Sequence, residues 1–331
     1  MAPIGTEARS SSAATAGLML APAAAVLLVF WFFPVLAALA VSFTNWEGAD
    51  PWEIVGWVGG RNYRRILADR EFWLALANTV NYALYAVPLT LGSALVLALL
   101  IHRLRRGRDF LRTLFFLPHA SAWVAVAMVW NLLFSFDFGP LNAGLRAVGL
   151  DPLRWLEEPR GIIEMFATGM LGLPRWPDPP VIGPLLAGPS LALFSIILTT
   201  VWRDLGFFLV VFLAGLANID PVYQEAARLD GAGPWQRLRH VTLPLLKPTT
   251  FFCLIVGTIG AFRVFVPILI MTPQGGPGKT TQTLIFYLYQ KGFVEWRLGL
   301  GAAVAWLFLL LLIGLTAAQN RWIGRRVGYE S

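Results

Sequence analysis

Apolar residues run along this chain in long blocks, and short polar stretches separate them. A block of about 20 apolar residues is the length of a helix that crosses the hydrocarbon layer of a bilayer. Six blocks stand out, at residues 17–43, 73–101, 113–134, 189–217, 249–271 and 299–319. The pattern predicts an all-α membrane protein with six transmembrane helices and both termini on one side. Pro22, Pro34 and Pro88 fall inside these blocks, and membrane helices tolerate such prolines. The first block is longer than the 7–15 residues of a signal-peptide core, so it reads as an uncleaved span. Residues 1–16 are small and polar, with Ser10–Ser12, Ala13 and Ala14, and are expected to be disordered.

The segments between blocks differ in character. Residues 44–72 form an external loop whose Trp46, Trp52 and Trp57 suit a membrane interface. Residues 135–188 are a long external insert with Pro174, Pro177, Pro179 and Pro180. Within it, the apolar run 162–173 is too short to span and is expected as an interfacial or packed helix. The core is thus expected over residues 73–319, with an inner loop at 218–248 and a short basic tail at 320–331. Polar residues inside the second block, Asn78, Thr79 and Asn81, can bond across helices.

Composition agrees with the pattern. The chain is 57% hydrophobic and 14% charged, where soluble domains carry about 25% charged residues. Mean hydropathy is +0.64. The pI near 10.0 does not point to nucleic acid, because the basic residues gather at the ends of apolar blocks. Arg103, Arg105, Arg106, Arg108 and Arg112 form one such group. With the N-terminus inside, the inner segments hold 13 Lys and Arg and the longer outer loops hold 11. That density bias puts loop 218–248 in the cytoplasm. The single cysteine, Cys253, excludes an internal disulfide.

Loop 218–248 has a shape that its residues dictate. Asp220 is a good N-cap and Pro221 a good first helical residue. A short helix is expected to about Leu229, ended by Gly231 and Gly233. Pro234 can start a second short helix, with Pro244 and Pro248 punctuating its exit. The loop reads Glu225-Ala226-Ala227, three residues, Gly231, nine residues, Val241, one residue, Leu243-Pro244. This pattern resembles the EAA signature of the membrane subunits of bacterial ABC importers, with Val241 where that signature has Ile. The stretches Phe72–Thr79, Phe115–Pro118 and Phe138–Asn142 resemble the same family.

The resemblance extends from about residue 18 to residue 319, apart from the insert 135–188, and is to permeases of the maltose and sn-glycerol-3-phosphate type. It implies the type I ABC importer permease fold, with a cytoplasmic coupling helix between spans four and five. Glu225, Ala226, Ala227, Gly231, Leu243 and Pro244 would then couple to an ATPase. The implied partners are a second homologous permease subunit, two ATPase subunits, an extracytoplasmic solute-binding protein and the lipid of a bacterial plasma membrane. The implied solute is small and hydrophilic: a sugar, oligosaccharide, polyol or glycerol phosphate, moved by alternating access. No cofactor, nucleic acid or ATPase site of its own is implied.

The remaining chemistry is sparse. Residues 273–280 look like a phosphate-binding loop, but Pro273 stands where that pattern requires glycine. The segment also falls outside the cell. His102, His119 and His240 show no metal-ligand spacing. His119 reads as a polar residue near the interface. Arg203 and Asp204 lie near the inner third of the fourth block, and Arg263 lies midway along the fifth. Intramembrane charges are costly and mark either helix pairing or a polar path. On residues alone both readings stand for Arg203, Asp204, Arg263 and Asn78. An ion-driven secondary transporter and a membrane-embedded enzyme remain alternative functions; Asp204 is the one acid inside a block, and Arg203 beside it can neutralise it.

Overall fold

The computed structural model describes residues 7–48, 51, 54–104, 106–170, 183–322 and 324. The expected tail 320–331 and the prolines of the insert lie largely outside these residues. Secondary structure among the described residues is helical, apart from two isolated β-bridges. Among the described residues, five helices are long and apolar enough to cross a membrane: Leu18–Ser42, Arg70–His102, Leu191–Ala217, Lys247–Met271 and Leu298–Trp322. A sixth span is assembled from Arg108–Ala120 and Trp123–Leu133, which meet at 94°.

That bend is a departure from the straight third span expected over 113–134. Ser121 and Ala122 are extended, at φ/ψ −76/148 and −62/132, and the helix simply stops and restarts. A second departure is at the N-terminus, where helix begins at Glu7, inside the segment expected to be disordered. Ala13, Ala14 and Ala16 are strong helix formers. Extending an existing helix avoids the cost of a new nucleus.

Two prolines show how the helices absorb a missing donor. The ring of a proline clashes with the carbonyl four residues back. Pro34 and Pro244 each follow a five-residue π-turn, Leu28–Phe32 and Leu238–Thr242. There the backbone N–H of Phe33 reaches Leu28 O and that of Leu243 reaches Leu238 O. The wider turn swings the offending carbonyl aside. Pro244 therefore does not end its helix as expected, and neither does Pro248, which sits in the first turn of Lys247–Phe262. Pro267 has no such turn before it. The fifth span breaks there: Lys247–Phe262 ends at Arg263, and Val266–Met271 begins afresh.

The chain divides into two compact units. In the first, Met1–Ile66 with Leu288–Leu307, Asn62 is the tie. Its Nδ2 donates to Ser42 O at 2.9 Å and Thr44 O at 2.8 Å. Gly299 N donates to Trp46 O at 3.0 Å. A Cβ on Gly299 would stand 2.2 Å from Thr44 O, so the last span can start there only with glycine.

The second unit, Leu67–Tyr287 with Phe308–Ser331, holds the larger core. Ile196, Ile197, Leu209 and Phe212 of Leu191–Ala217 pack with Tyr82, Leu91 and Ala94 of Arg70–His102. Arg108–Ala120 crosses Leu191–Ala217 antiparallel and very close: a Cβ on Gly206 would lie 2.0 Å from Phe115 O. The insert at 135–188 is tied down by the fully buried Asn142. Its Nδ2 donates to Leu153 O, and its Oδ1 accepts from Leu153 N and Trp155 Nε1. Ser195 Oγ in turn donates to Trp155 O at 3.0 Å, anchoring the insert to the fourth span. The short apolar run in the insert forms Ile162–Met170, a packed helix of nine residues.

The close crossing at Gly206 gives a direct test. Gly206→Ala forces a side chain into a backbone contact and should cost about 1–3 kcal/mol or more. Gly92→Ala meets nothing within 4 Å and should stabilise slightly by helix propensity. Thermal unfolding in detergent should therefore show a lower midpoint for the first and none for the second; equal midpoints would contradict the crossing.

Candidate functional site

Four spans of the second unit enclose a cavity of about 400 Å³, within the usual size range for small-molecule sites. Its wall is built from stripes of helical spacing. Tyr82, Ala86 and Thr90 come from the second span; Thr200, Arg203, Asp204 and Phe207 come from the fourth. Gly257, Gly260 and Ala261 come from the fifth, and His119 and Trp123 flank the bend in the third. Most of the lining is apolar or aromatic, with a few convergent polar groups.

The polar groups form one knot. Arg203 stands twelve residues from the start of Leu191–Ala217 and fourteen from its end, so it is mid-span and not at the inner third. Its Nη1 donates to Asp204 Oδ1 at 2.6 Å and its Nη2 to His119 O at 3.1 Å. The guanidinium also lies over the Trp123 ring, 4.2 Å from its centroid. Asp204 Oδ1 is 3.2 Å from His119 Nδ1, and the His119 ring stacks on Phe207 at 5.2 Å. The carbonyl at His119 is one that the end of Arg108–Ala120 leaves without a helical donor, and Arg203 supplies the donor. Nearby, Tyr82 Oη donates to Thr200 Oγ1 at 2.7 Å. His119 is therefore part of the cavity, which its reading as an interface residue did not anticipate.

Arg263 also lines the cavity, at the break in the fifth span. Asn78 does not. It is 3% exposed, and its Nδ2 donates to Lys279 O at 2.9 Å and Gln282 O at 3.0 Å. Thr79 Oγ1 accepts from Leu284 N at 2.9 Å. These two residues bond across to another segment as their polarity suggested, but Asn78 clamps the 272–283 loop and leaves the cavity wall to others.

The same loop is the one that resembles a phosphate-binding motif. Its amides are already used: Gly275 N bonds Thr272 O, Gly276 N bonds Pro273 O, Thr280 N bonds Pro277 O and Thr281 N bonds Gly275 O. Lys279 Nζ pairs with Glu71. Gly275 and Gly276 have φ of +88° and +74°, and a Cβ on either would strike Gln282 or Thr281. The glycines serve a tight fold-back, and no ring of free amides faces a phosphate.

The second feature is the knob at 218–248. Asp220 caps Pro221–Leu229 by accepting from Val222 N at 2.9 Å. The helix ends in a Schellman turn: Gly231 N donates to Arg228 O and Ala232 N to Ala227 O. Gly231 has φ +77° and open space around it, so its role is conformational. Pro234–Arg237 starts the second helix, and Gln224 Nε2 ties the first to it through Thr242 Oγ1 at 2.9 Å. Glu225, Ala226, Gly231 and Leu243 are exposed, and Ala227 and Pro244 are half-buried. Val222, Tyr223, Leu229 and Trp235 are exposed apolar neighbours, Leu229 by 90%.

Residues 86–329 match the family of binding-protein-dependent transport system inner membrane components. The chain belongs to that family. It is 34% identical over 92% of its length to a probable ABC transporter permease protein, YesP, of Bacillus subtilis, covering 88% of that protein. It is 32% identical to the sn-glycerol-3-phosphate permease protein UgpA of Rhizobium meliloti, over 94% of this chain and 95% of that one. The trehalose/maltose permease protein MalF of Thermococcus litoralis is 32% identical, over 93% and 92%. A crystal structure of a bacterial alginate ABC transporter in complex with an alginate pentasaccharide-bound periplasmic protein contains a chain that superposes with TM-score 0.74 at 22% identity, over 94% of each chain. The fold is thus that of type I ABC importer permeases, and the protein is a multi-pass inner-membrane permease of an ABC importer. The EAA pattern carried this conclusion from the sequence. The aromatic wall of Tyr82, Trp123 and Phe207 did not stand out there, although the spacing Thr200, Arg203, Asp204, Phe207 marks one helix face.

The knot yields a double-mutant prediction. Arg203 and Asp204 side chains are 13% and 25% exposed. Asp204→Asn leaves a charge without its partner and should cost up to about 3 kcal/mol. Arg203→Met combined with Asp204→Asn should cost markedly less, because no lone charge remains. Thermal unfolding of the wild type, Arg203→Met, Asp204→Asn and the double variant reads this directly; a double variant as unstable as the sum of the two singles would deny the coupling.

Proposed function

We propose that this permease carries a sugar, oligosaccharide, polyol or glycerol phosphate through the cavity by alternating access. The observation that carries this is the cavity at the break of the fifth span, with an aromatic wall and a small polar knot. Aromatic faces suit the apolar faces of sugar rings, and irregular backbone at membrane depth is tolerated where it lines a cavity. The named substrates of the relatives UgpA and MalF favour the same class.

In this reading, energy comes from separate ATPase subunits acting on the knob. A second homologous permease completes the membrane pathway, and a solute-binding protein delivers solute from outside. Both termini are cytoplasmic. Glu225, Ala226, Ala227 and Gly231 make the coupling surface, with Leu243 and Pro244 fixing its exit. The small Ala226 and Ala227 leave a low ridge that a partner's cleft can close around. The exposed Val222, Tyr223 and Leu229 supply apolar area to bury. Glu225 makes no ion pair among the described residues, and at such an exposed site one would contribute about 1 kcal/mol or less.

Gly231→Pro breaks two things at once. Proline cannot adopt φ +77°, and it removes the N–H that bonds Arg228 O. With this variant, or Ala227→Trp, the chain should still insert, but ATPase subunits should dissociate or lose stimulation by the loaded binding protein. Copurification and stimulated hydrolysis in membranes measure both. Normal values in both variants would remove the knob from the coupling path. For topology, a reporter fused after Arg108 or Trp235 should read cytoplasmic, and one fused between Pro174 and Pro180 external. An external signal at Trp235 would overturn the orientation and the coupling assignment together.

A further inference from the structure

The cavity wall carries two guanidinium groups in unequal states. Arg203 is occupied by Asp204, the His119 carbonyl and the Trp123 face. Arg263 makes no side-chain hydrogen bond or ion pair among the described residues, although it faces the same space. Counting groups of fixed charge among the described residues, the wall holds two guanidiniums and one carboxylate. Arg203 consumes the carboxylate. One positive charge is left over, and it is on Arg263.

An unpaired guanidinium at membrane depth is costly. Arg263 sits as the C-terminal cap of Lys247–Phe262, where the helix dipole favours a cation. That dipole effect is confined to the last turn and offsets only part of the cost. Water in the open cavity offsets more, but a solute that fills the cavity displaces it. A neutral solute would then leave the charge desolvated without a partner. A solute bearing a carboxylate or phosphate would pair with it, and the planar fork of arginine fits either in two-point fashion.

We propose that Arg263 selects for an anionic solute: an acidic sugar or a sugar or polyol phosphate, whose negative group pairs with it while the carbon skeleton lies against Trp123 and Phe207. The proposal rests on the permease reading and narrows its substrate class. Asp204 does not repel such a solute, because Arg203 neutralises it at 2.6 Å.

The test uses the assembled importer purified with its ATPase subunits, without the binding protein, so that the permease alone selects. Binding of sn-glycerol 3-phosphate, trigalacturonate and maltose is measured by ligand-induced thermal shift. At least one anion should bind, and which one separates phosphate from carboxylate recognition; maltose should bind at least tenfold more weakly. Arg263→Gln should weaken anion binding tenfold or more, and Arg263→Lys should recover part of it, with complex assembly unchanged in both. Maltose binding as tight as the better-bound anion, anion binding unaffected by Arg263→Gln, or no binding of any probe would overturn the proposal. So would loss of the second permease from the Arg263→Gln complex, which would show that Arg263 pairs with a neighbouring subunit. If no ATPase subunit copurifies with the wild-type chain, the permease reading itself fails, and that outcome is seen before any ligand is added.

Discussion

A charge in the middle of an apolar span is costly unless it is paired or hydrated, and Arg203 is held by pairing. Its three contacts come from its own neighbour Asp204, from the carbonyl of His119 and from the Trp123 ring. Two of the three belong to the two halves of the broken third span. The bond to His119 occupies a carbonyl at the end of Arg108–Ala120, and Trp123 opens the helix that leaves at 94°. The bend and the cation therefore support each other. Gly206, three residues on, lets the two helix backbones approach closely enough for these bonds to form. If the pair were lost, the bend would lose its internal donor and the cavity its polar wall.

The fifth span adds the opposite wall by a different device. At Pro34 and Pro244 a π-turn absorbs the proline, and the helix continues. At Pro267 there is none, and the helix breaks before it with Arg263 at the break, whereas Arg70–His102 runs unbroken through Pro88 without such a turn. Thr283 Oγ1 donates to Val264 O, satisfying one carbonyl that the break releases. Lys247–Phe262 also leads, through nearly continuous helix, back to the knob. That helical run reaches back to Pro234 in the second helix of the knob, and the bond from Gln224 Nε2 to Thr242 Oγ1 ties it to Pro221–Leu229 across the turn at Gly231.

Much of this was legible in the sequence because it is local. Six apolar blocks gave the spans, and Asp220, Pro221, Gly231 and Pro234 gave the helices of the knob almost residue for residue. What was not legible depends on partners far away in the chain. For Asn78 the sequence left open a path or a bond across helices, and what decides it are acceptors 201 and 204 residues later. His119 gained its meaning from Asp204, 85 residues on. The bend at Ser121–Ala122 has no glycine or proline at its corner, and the apolar pattern runs straight through it. The contacts with Arg203 and the close approach at Gly206 hold it.

In the proposed mechanism, the space beside Arg203 and Arg263 is a watery path that changes sides during transport. Gly260 lines that space with nothing within 4 Å of its Cβ position, so Gly260→Cys fits without strain. The native Cys253 is fully buried and can be replaced by alanine. The decisive measurement is the rate at which a membrane-impermeant thiol reagent labels Gly260→Cys in the assembled importer, applied from each side, with and without trapped ATP. Labelling from one side that switches to the other when ATP is trapped is the predicted result. A thiol unreactive from both sides in both states would contradict the account.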